Sequence, residues 1–576
     1  MPDPACDGRR DLEETEMTEP GGMRAADLLA RCLEAHGFDR MFCVPGESYL
    51  SFLDALEDSS IQTVVCRHEG GAGLMAAADA KLTGRPGLCA ASRGPGATNI
   101  SIAVHLAEQD GVPLVVLLGQ VARWERGRGA FQEVDYNQMF GGMAKFVREV
   151  NDPAQLPETV ARAVQAACSP TPGPAVIVLP EDMLEEITSA PVVRPMPIPR
   201  AGVSPSDIDR AMAMLAGAER PLIIAGHGVG SDEGRKALAR AAEAHGIPVA
   251  LTFKNQHLFD NASPLYAGHL GFKLPPAVIE PLKKADLVIA VGTRLADTPT
   301  QGWSFPKAPF PDQPLIHVHA DAGVIGQVIA AEMGVAADPV AFLEGLAERN
   351  AELPPARAEW AKGVNANARA MRDKAPEARP DGLDFGHMIR ALAAKAPKDA
   401  ILTMDAGNFS GWIHSEWPWD GTSQALGAAG GAMGLGVPAA IAASLRFPGR
   451  KVLGFCGDGG VLMTGSELAT AAAQGATPII VISDNGYYGT IRLHQEKAFP
   501  GRIAGTRLVN PDFAAWGRAF GALGLTVTTP EEAAEAVDKA LAHDGPVVIH
   551  ARASVEAISP FATISGIRAA ATKAAE

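Results

Sequence analysis

The chain has 576 residues, of which 47% are hydrophobic and 20% charged, with a formal net charge of −16. That length is too great for one core and favours three or four domains, and the acidic balance argues against nucleic acid as a partner, since phosphate binding needs a basic face. Seven cysteines without a CxxC pair or zinc-like spacing read as reduced intracellular thiols.

Residues 1–21 are acidic and polar and lack the apolar centre of a signal peptide; no later run approaches the about 20 apolar residues of a membrane span. They are expected to form a disordered tail on a cytoplasmic protein. From Met23 onward short apolar strands alternate with longer Ala-rich amphipathic segments. MFCV (41–44), TVVC (63–66), LVVLLG (114–119) and AVIVL (175–179) define a first domain over 22–189, closed by a Pro-rich linker at 190–205. PLIIAG (221–226), DLVIAVG (286–292) and LIHVHAD (315–321) mark a central domain over 206–349, followed by a polar, Ala- and Arg-rich stretch, 350–381, read as a second linker. KVLGFCGDGG (451–460), PIIVISDNG (478–486) and GPVVIHARA (545–553) belong to a third domain over 382–557, with a tail at 558–576. The alternation predicts three α/β domains, each a doubly wound parallel sheet.

Gly457-Asp458-Gly459-Gly460 ends one strand of the third domain and Asn485 ends another. Open α/β sheets place ligands at this strand edge. Asp458 offers a hard carboxylate and Asn485 an amide oxygen, which suit magnesium or calcium, ions that take about six oxygens, several of them from phosphates. The glycines let backbone N–H groups approach a diphosphate at a helix start. In the first domain, Arg67-His68-Glu69-Gly70-Gly71-Ala72-Gly73 follows a strand. Taken alone, Glu69 is an ordinary carboxylate at a helix N-terminus. It is flanked, however, by VPGES (44–48), SRGPGATN (92–99), QDGVPLVVLLGQV (109–121) and AFQE (130–133). Cys66 and Cys456 stand beside these motifs and read as small buried apolar residues.

In this order and spacing, over about Met23 to Pro560, the motifs resemble those of the acetolactate synthase-like family of thiamine-diphosphate enzymes; GAAGGAMGLGVPAAIAA (427–443) matches the family's segment before its GDG. The resemblance implies a pyrimidine-binding, a central and a diphosphate-binding domain. It further implies decarboxylation or carboligation of a 2-oxo acid, with lyase action on an acyl-CoA or 2-hydroxy ketone, or a non-catalytic nucleotide-binding homologue, as alternatives. Under it the magnesium ligands are Asp458, Asn485 and the carbonyl of Tyr487, with Gly457, Gly459 and Gly460 at the diphosphate. Glu69 meets the aminopyrimidine ring and relays its proton, Met433 bends the cofactor between its two rings, and Gln132 faces the reacting centre. His68 is read either as catalytic or as a satisfied loop histidine. Arg93, where familiar members have a serine, is read either as a substrate-carboxylate partner or as structural.

Thr490 and His494 lie four residues apart on the helix expected after Asn485, on one face. Acetolactate synthases resembling this chain have a methionine and a tryptophan there, so a smaller, more polar acceptor surface is expected, suited to a polar aldehyde or oxo acid. Thr252-Phe253-Lys254-Asn255-Gln256-His257 replaces the small Gly-rich turn of flavin-carrying members, which makes FAD doubtful. The resemblance also implies a homodimer or homotetramer with active sites shared between subunits, and no nucleic-acid or membrane partner.

Overall fold

The computed structural model describes residues 22–272, 274–350, 352–372 and 374–575; the tail expected at 1–21 lies outside them. Three six-stranded parallel sheets are present. The first is built from Arg40–Cys43, Gln62–Val65, Gly87–Ala91, Leu114–Gln120, Phe146–Glu149 and Pro174–Pro180, and a short antiparallel pair, Met23–Arg24 with Ile187–Thr188, joins its two ends. The central sheet uses Pro221–Ala225, Val249–Thr252, Tyr266–Leu270, Leu287–Val291, Leu315–His319 and Met333–Ala336. The third uses Ile401–Met404, Gln424–Gly427, Val452–Gly457, Ile479–Asp484, Leu523–Val527 and Val547–Arg552. Leu114–Gln120 and Pro174–Pro180 are buried along their whole length, as strands covered by helices on both faces must be.

Counting strands from the start of each domain, the first and third sheets share the order 2-1-3-4-6-5, whereas the central sheet runs 3-2-1-4-5-6. The first and third domains also share one apolar core. The helix Glu69–Thr83 is buried from Gly70 through Ala80, because its residues are apolar or small on every side. It packs on the third-domain helix Gly436–Arg446, and Met75, Ile100 and Leu118 join Ile441, Ile480 and Val548 in a single cluster. Polar groups fix the register of this seam. Arg446 pairs with Asp39 at 2.8 Å and Asp79 at 2.7 Å. Lys81 pairs with Asp110 at 2.7 Å and donates to the Gly427 carbonyl, while Asp110 accepts from the N–H groups of Ala429 and Gly430.

Two expected connecting segments are corrected. Residues 350–381 are not only a linker: the helix Pro355–Arg372 docks on the central domain. Its polar side chains serve backbone carbonyls of the central domain. Arg357 donates to Ala218 and His245, Trp360 to Pro221, and Asn365 to Tyr266. Residues 558–576 are not simply a tail. Their helix Ile564–Ala575 places Ile564 and Ile567 against Leu493 and Ile558, and Arg568 pairs with buried Glu496 at 2.7 Å. The Arg568 hydrogen bond, against the opposing cost of burial, holds the Glu496 carboxyl down at about 2.

Candidate active site

The third-domain edge is assembled by three strand ends. Val452–Gly457 runs directly into the helix Asp458–Thr464, with Gly457 at its N-cap. Asp458 is 4% exposed, and its carboxyl accepts from the N–H groups of Gly459 at 3.0 Å and Gly486 at 2.9 Å and from the Asn510 amide at 2.9 Å, with the Asp484 carboxyl also within hydrogen-bonding reach. Burial first, and then the neighbouring Asp484 carboxylate, push Asp458 above the usual carboxylate range. Burial acts on Asp484 as well, but the hydrogen bonds from His550 (2.7 Å) and Asn510 (2.8 Å) outweigh it and hold Asp484 low. The fold therefore disfavours the charged form of Asp458.

Asn485 stands in the turn after Ile479–Asp484, half-buried, its amide oxygen accepting from the Tyr487 N–H at 3.1 Å. The Gly486 bond to Asp458 brings this turn and the Asp458 helix together. Space at the edge is reserved by glycines: a Cβ at Gly460 would lie 2.2 Å from Oδ2 of Asp405, and one at Gly459 would lie 2.4 Å from the Tyr488 ring.

The third strand end is one that motif reading missed. Ile401–Met404 leads into Asp405-Ala406-Gly407-Asn408. Asp405 is fully buried and accepts from the N–H groups of Ala406 and Gly434, both at 2.8 Å, whereas Oδ2 has no partner among the described residues. Burial raises its carboxyl to about 6. Gly434 follows Met433, so Asp405 anchors the turn that presents Met433, half-buried, ahead of the helix Gly436–Arg446. Thr490 donates to the Asn408 side-chain oxygen at 3.0 Å and accepts from the Asn408 N–H at 3.2 Å, which sets Thr490 on this strand edge. His494 is half-buried one helical turn later. The sequence cue that was available is an Asp-x-Gly-Asn run just past a four-residue buried strand.

In the first domain Glu69 opens the helix Glu69–Thr83, half-buried, and accepts from the Asn99 amide at 2.9 Å. His68 is the N-cap, its Nδ1 accepting from the Gly70 N–H at 2.9 Å; of its two readings, the structure supplies the loop histidine. Arg93 is 8% exposed and pairs with Glu181 at 2.9 Å and Glu47 at 3.0 Å, so the structural partner is present and the cation is committed within its own domain. Gln132 adopts φ +65° with its backbone against Gly94, itself at φ +58°. Tyr136 holds this turn, accepting from the Gly94 N–H and donating to the Gly119 carbonyl. Cys66 and Cys456 are buried thiols whose pKa values burial raises, a poor state for a nucleophile.

Glu467, also missed, links the two halves. It lies just beyond the Asp458 helix, fully buried, and accepts from the N–H groups of Arg67 and His68 and from the Thr470 hydroxyl. A Cβ at Gly71 would lie 2.3 Å from its Oε1. The glycine after Gly70 is thus needed for contact with the third domain.

The central domain contributes the turn after Val249–Thr252. Lys254 has φ +65° and 5% exposure, and burial draws its ammonium group down to about 8. Gly226 and Gly228 of the AGHGVG turn press on Gly292 and Thr293, where a Cβ would come within 2.6–2.7 Å, so these glycines have a packing explanation.

A strand edge with a buried carboxyl, amide and carbonyl oxygens, glycine space and a helix N-terminus suits a phosphorylated cofactor. Comparison with known proteins identifies the family. Residues 23–139 match the thiamine pyrophosphate enzyme N-terminal TPP binding domain, 208–346 the central domain and 405–551 the C-terminal TPP binding domain. The chain is 32% identical to the acetolactate synthase large subunit of Corynebacterium glutamicum, over 92% of this chain and 87% of that protein. It is 30% identical to the acetolactate synthase isozyme 2 large subunit of Escherichia coli, over 92% and 95%, and 30% identical to the sulfoacetaldehyde acetyltransferase of Rhodobacter capsulatus, over 90% and 92%. The chain belongs to the thiamine pyrophosphate enzymes, and it is a thiamine-diphosphate-dependent enzyme of the acetolactate synthase-like, decarboxylating and carboligating kind.

Proposed function

We propose that the enzyme decarboxylates a 2-oxo acid and joins the remaining fragment to a second carbonyl compound, with thiamine diphosphate held through magnesium. The observation that supports the metal assignment is Asp458, buried beside the Asp484 carboxyl and paired with no Lys, Arg or His among the described residues. Among the described residues no group of three or more His, Cys, Asp or Glu side chains is arranged to hold a metal ion. Asp458, the Asn485 amide and the Tyr487 carbonyl would supply about half of an octahedral shell, leaving the rest to diphosphate and water oxygens.

Thiamine diphosphate, when bound, supplies the electron sink for the carbon that loses carbon dioxide. The chain's own residues bind and orient. The Gly459 and Gly460 N–H groups face the diphosphate at a helix start, Met433 supports the rings, and Glu69 holds and moves the proton of the aminopyrimidine. Gln132 and His494 face the reactants. Thr490, tied to Asn408, gives that surface a polar floor, which supports a polar aldehyde or oxo acid as acceptor.

The assembly we propose is a homodimer or homotetramer with sites shared between subunits. Trp124 and Phe131, exposed at 64% and 74% on the loop that carries Gln132, supply apolar surface for that contact. No described helix is long and apolar enough to cross a membrane, and a cytoplasmic location is part of the proposal. Flavin is proposed to be absent, because Lys254, Gln256 and His257 are buried in the central-domain turn. The purified enzyme is expected to be colourless; stoichiometric absorbance at roughly 450 nm, the flavin band, refutes that. The defining experiment incubates enzyme, thiamine diphosphate and magnesium with a panel of 2-oxo acids and aldehydes. Carbon dioxide release with ligation products by mass spectrometry is expected, and neither appearing with any pair overturns the reading.

A further inference from the structure

We propose that His550 is a positioning residue of the third-domain edge: it holds the Asp484 carboxyl group back, so that a divalent cation there meets one carboxylate, Asp458, rather than two. The proposal rests on the metal reading of Asp458 above. Asp484 ends the strand Ile479–Asp484, immediately before Asn485, and is 9% exposed. The same donors bridge it to Asp458. The Gly486 N–H reaches Oδ2 of Asp458 at 2.9 Å and Oδ1 of Asp484 at 3.1 Å. The Asn510 amide reaches the same two oxygens at 2.9 Å and 2.8 Å. Both donors to Oδ1 of Asp484 are thus shared with Asp458. Oδ2 is different, because it lies 2.7 Å from Nε2 of His550, and His550 makes no such bond to Asp458 among the described residues.

The imidazole is fixed from several sides. His550 lies on Val547–Arg552, the strand paired with Ile479–Asp484, and is fully buried. The Phe513 ring stands edge-on to it at 5.2 Å. Its Nδ1 faces Oδ1 of Asp512 at 3.6 Å, and Asp512 is itself tied down as the N-cap of the helix Phe513–Ala519, accepting from the N–H groups of Ala514 and Ala515. An ionised carboxylate only accepts, so Nε2 carries the proton of the bond to Asp484. Asp484 therefore has one oxygen committed to a group that cannot follow it toward a cation.

Charge gives the reason for holding it. One carboxylate leaves a divalent ion with net positive charge to attract a diphosphate, whereas two carboxylates cancel it. A buried carboxylate that loses its donor gains by turning to a cation instead. Without His550, the edge would bind the bare ion more tightly and the diphosphate less tightly. A group outside the ligand shell acts on a metal site in this way, by orienting the groups next to it.

The test compares wild type, His550→Leu, His550→Gln and the double variant His550→Leu with Asp484→Asn, all free of cofactor. Isothermal titration measures manganese alone, and then thiamine diphosphate and inorganic pyrophosphate at saturating magnesium. His550→Leu should bind manganese alone about 10-fold more tightly and both diphosphates about 10-fold less tightly, the lower end of the range for partners outside a metal shell. His550→Gln, which can still donate from the same side, should stay near wild type in both. The double variant, with no second carboxylate to release, should return both affinities to wild type; it leaves no unpaired charge and decides the matter even if His550→Leu alone does not fold. Loss of packing would weaken both affinities together, so that result overturns the inference, as does a double variant that still binds diphosphate weakly. Wild type that binds neither diphosphate with magnesium overturns the metal reading along with it, whereas wild type and His550→Leu that bind metal and diphosphate alike overturn this inference alone.

Discussion

The first and third domains carry their strands in the same order, yet their strand edges hold opposite chemistry. The first offers one half-buried carboxylate, Glu69, held by an asparagine amide at the start of a long buried helix. The third offers Asp458, Asp484 and Asp405, all under 10% exposed, in a lattice of N–H donors and glycines. The same topology therefore places a site at the same edge in both, and the loops decide whether that edge handles a proton or a charged ligand. The central domain, with its different strand order, packs the Lys254 side chain against Gly427 of the third domain.

The comparison breaks most completely if the third-domain edge does not hold the cofactor. Asp458→Ala should abolish retention of thiamine diphosphate and magnesium through gel filtration while circular dichroism stays native; wild-type affinity in that variant sinks the metal assignment. In the cofactor-free protein Asp458 titrates above its unfolded value, so its charged form is disfavoured in the fold. Stability should fall as pH rises through that range, and magnesium with thiamine diphosphate should reverse the trend. A flat melting profile would contradict this.

Glu69→Gln should leave cofactor binding intact and lower kcat by about 10²–10⁴-fold, the range for removing a proton-relay group. Isothermal titration with thiamine diphosphate separates binding from rate. Mixed Glu69→Gln and Asp458→Ala subunits should regain activity on subunit exchange, since one pairing rebuilds a complete site. Exchange without recovery argues against shared sites.

Glu467→Leu should cost roughly 1–3 kcal/mol, the penalty for buried N–H groups left without an acceptor, here those of Arg67 and His68. Denaturant melts measure it, and an unaltered midpoint would mean that the two domains do not depend on this contact. The smallest effect is expected from Arg568→Met, roughly 0.5–1 kcal/mol, because Arg568 is 47% exposed. Arg568 keeps the Glu496 carboxyl low, so its contribution is present above the ordinary carboxylate range and lost as pH falls toward 2. Wild type and variant should converge at low pH, and a difference that persists there would assign the effect to packing.

Motif reading reached the residues whose neighbours along the chain announce them. Asp458 follows a wholly apolar strand, Asn485 a strand apolar up to its last two residues, and Glu69 precedes a run of glycines. It missed Asp405 and Asn408 because the four-residue strand Ile401–Met404 is short and its Asp-x-Gly-Asn turn resembles an ordinary loop, and it missed Glu467 because its partners, the Arg67 and His68 N–H groups, are 400 and 399 positions away. Arg93 could be listed from sequence with two readings, but choosing needed Glu47 and Glu181 in space. The helical character of 350–381 was legible, but the docking of Pro355–Arg372 was not, because its polar side chains serve backbone carbonyls distant in sequence.

The C-terminal helix has a practical consequence for anyone handling the protein. Ile564–Ala575 lies on the helix that carries Thr490 and His494, so an affinity tag or fluorescent fusion joined directly after it pulls on that helix and on the acceptor surface proposed there. A spacer of several Gly-Ser residues, or trimming that stops beyond Arg568, keeps the reporter from altering the substrate selectivity it is meant to help measure.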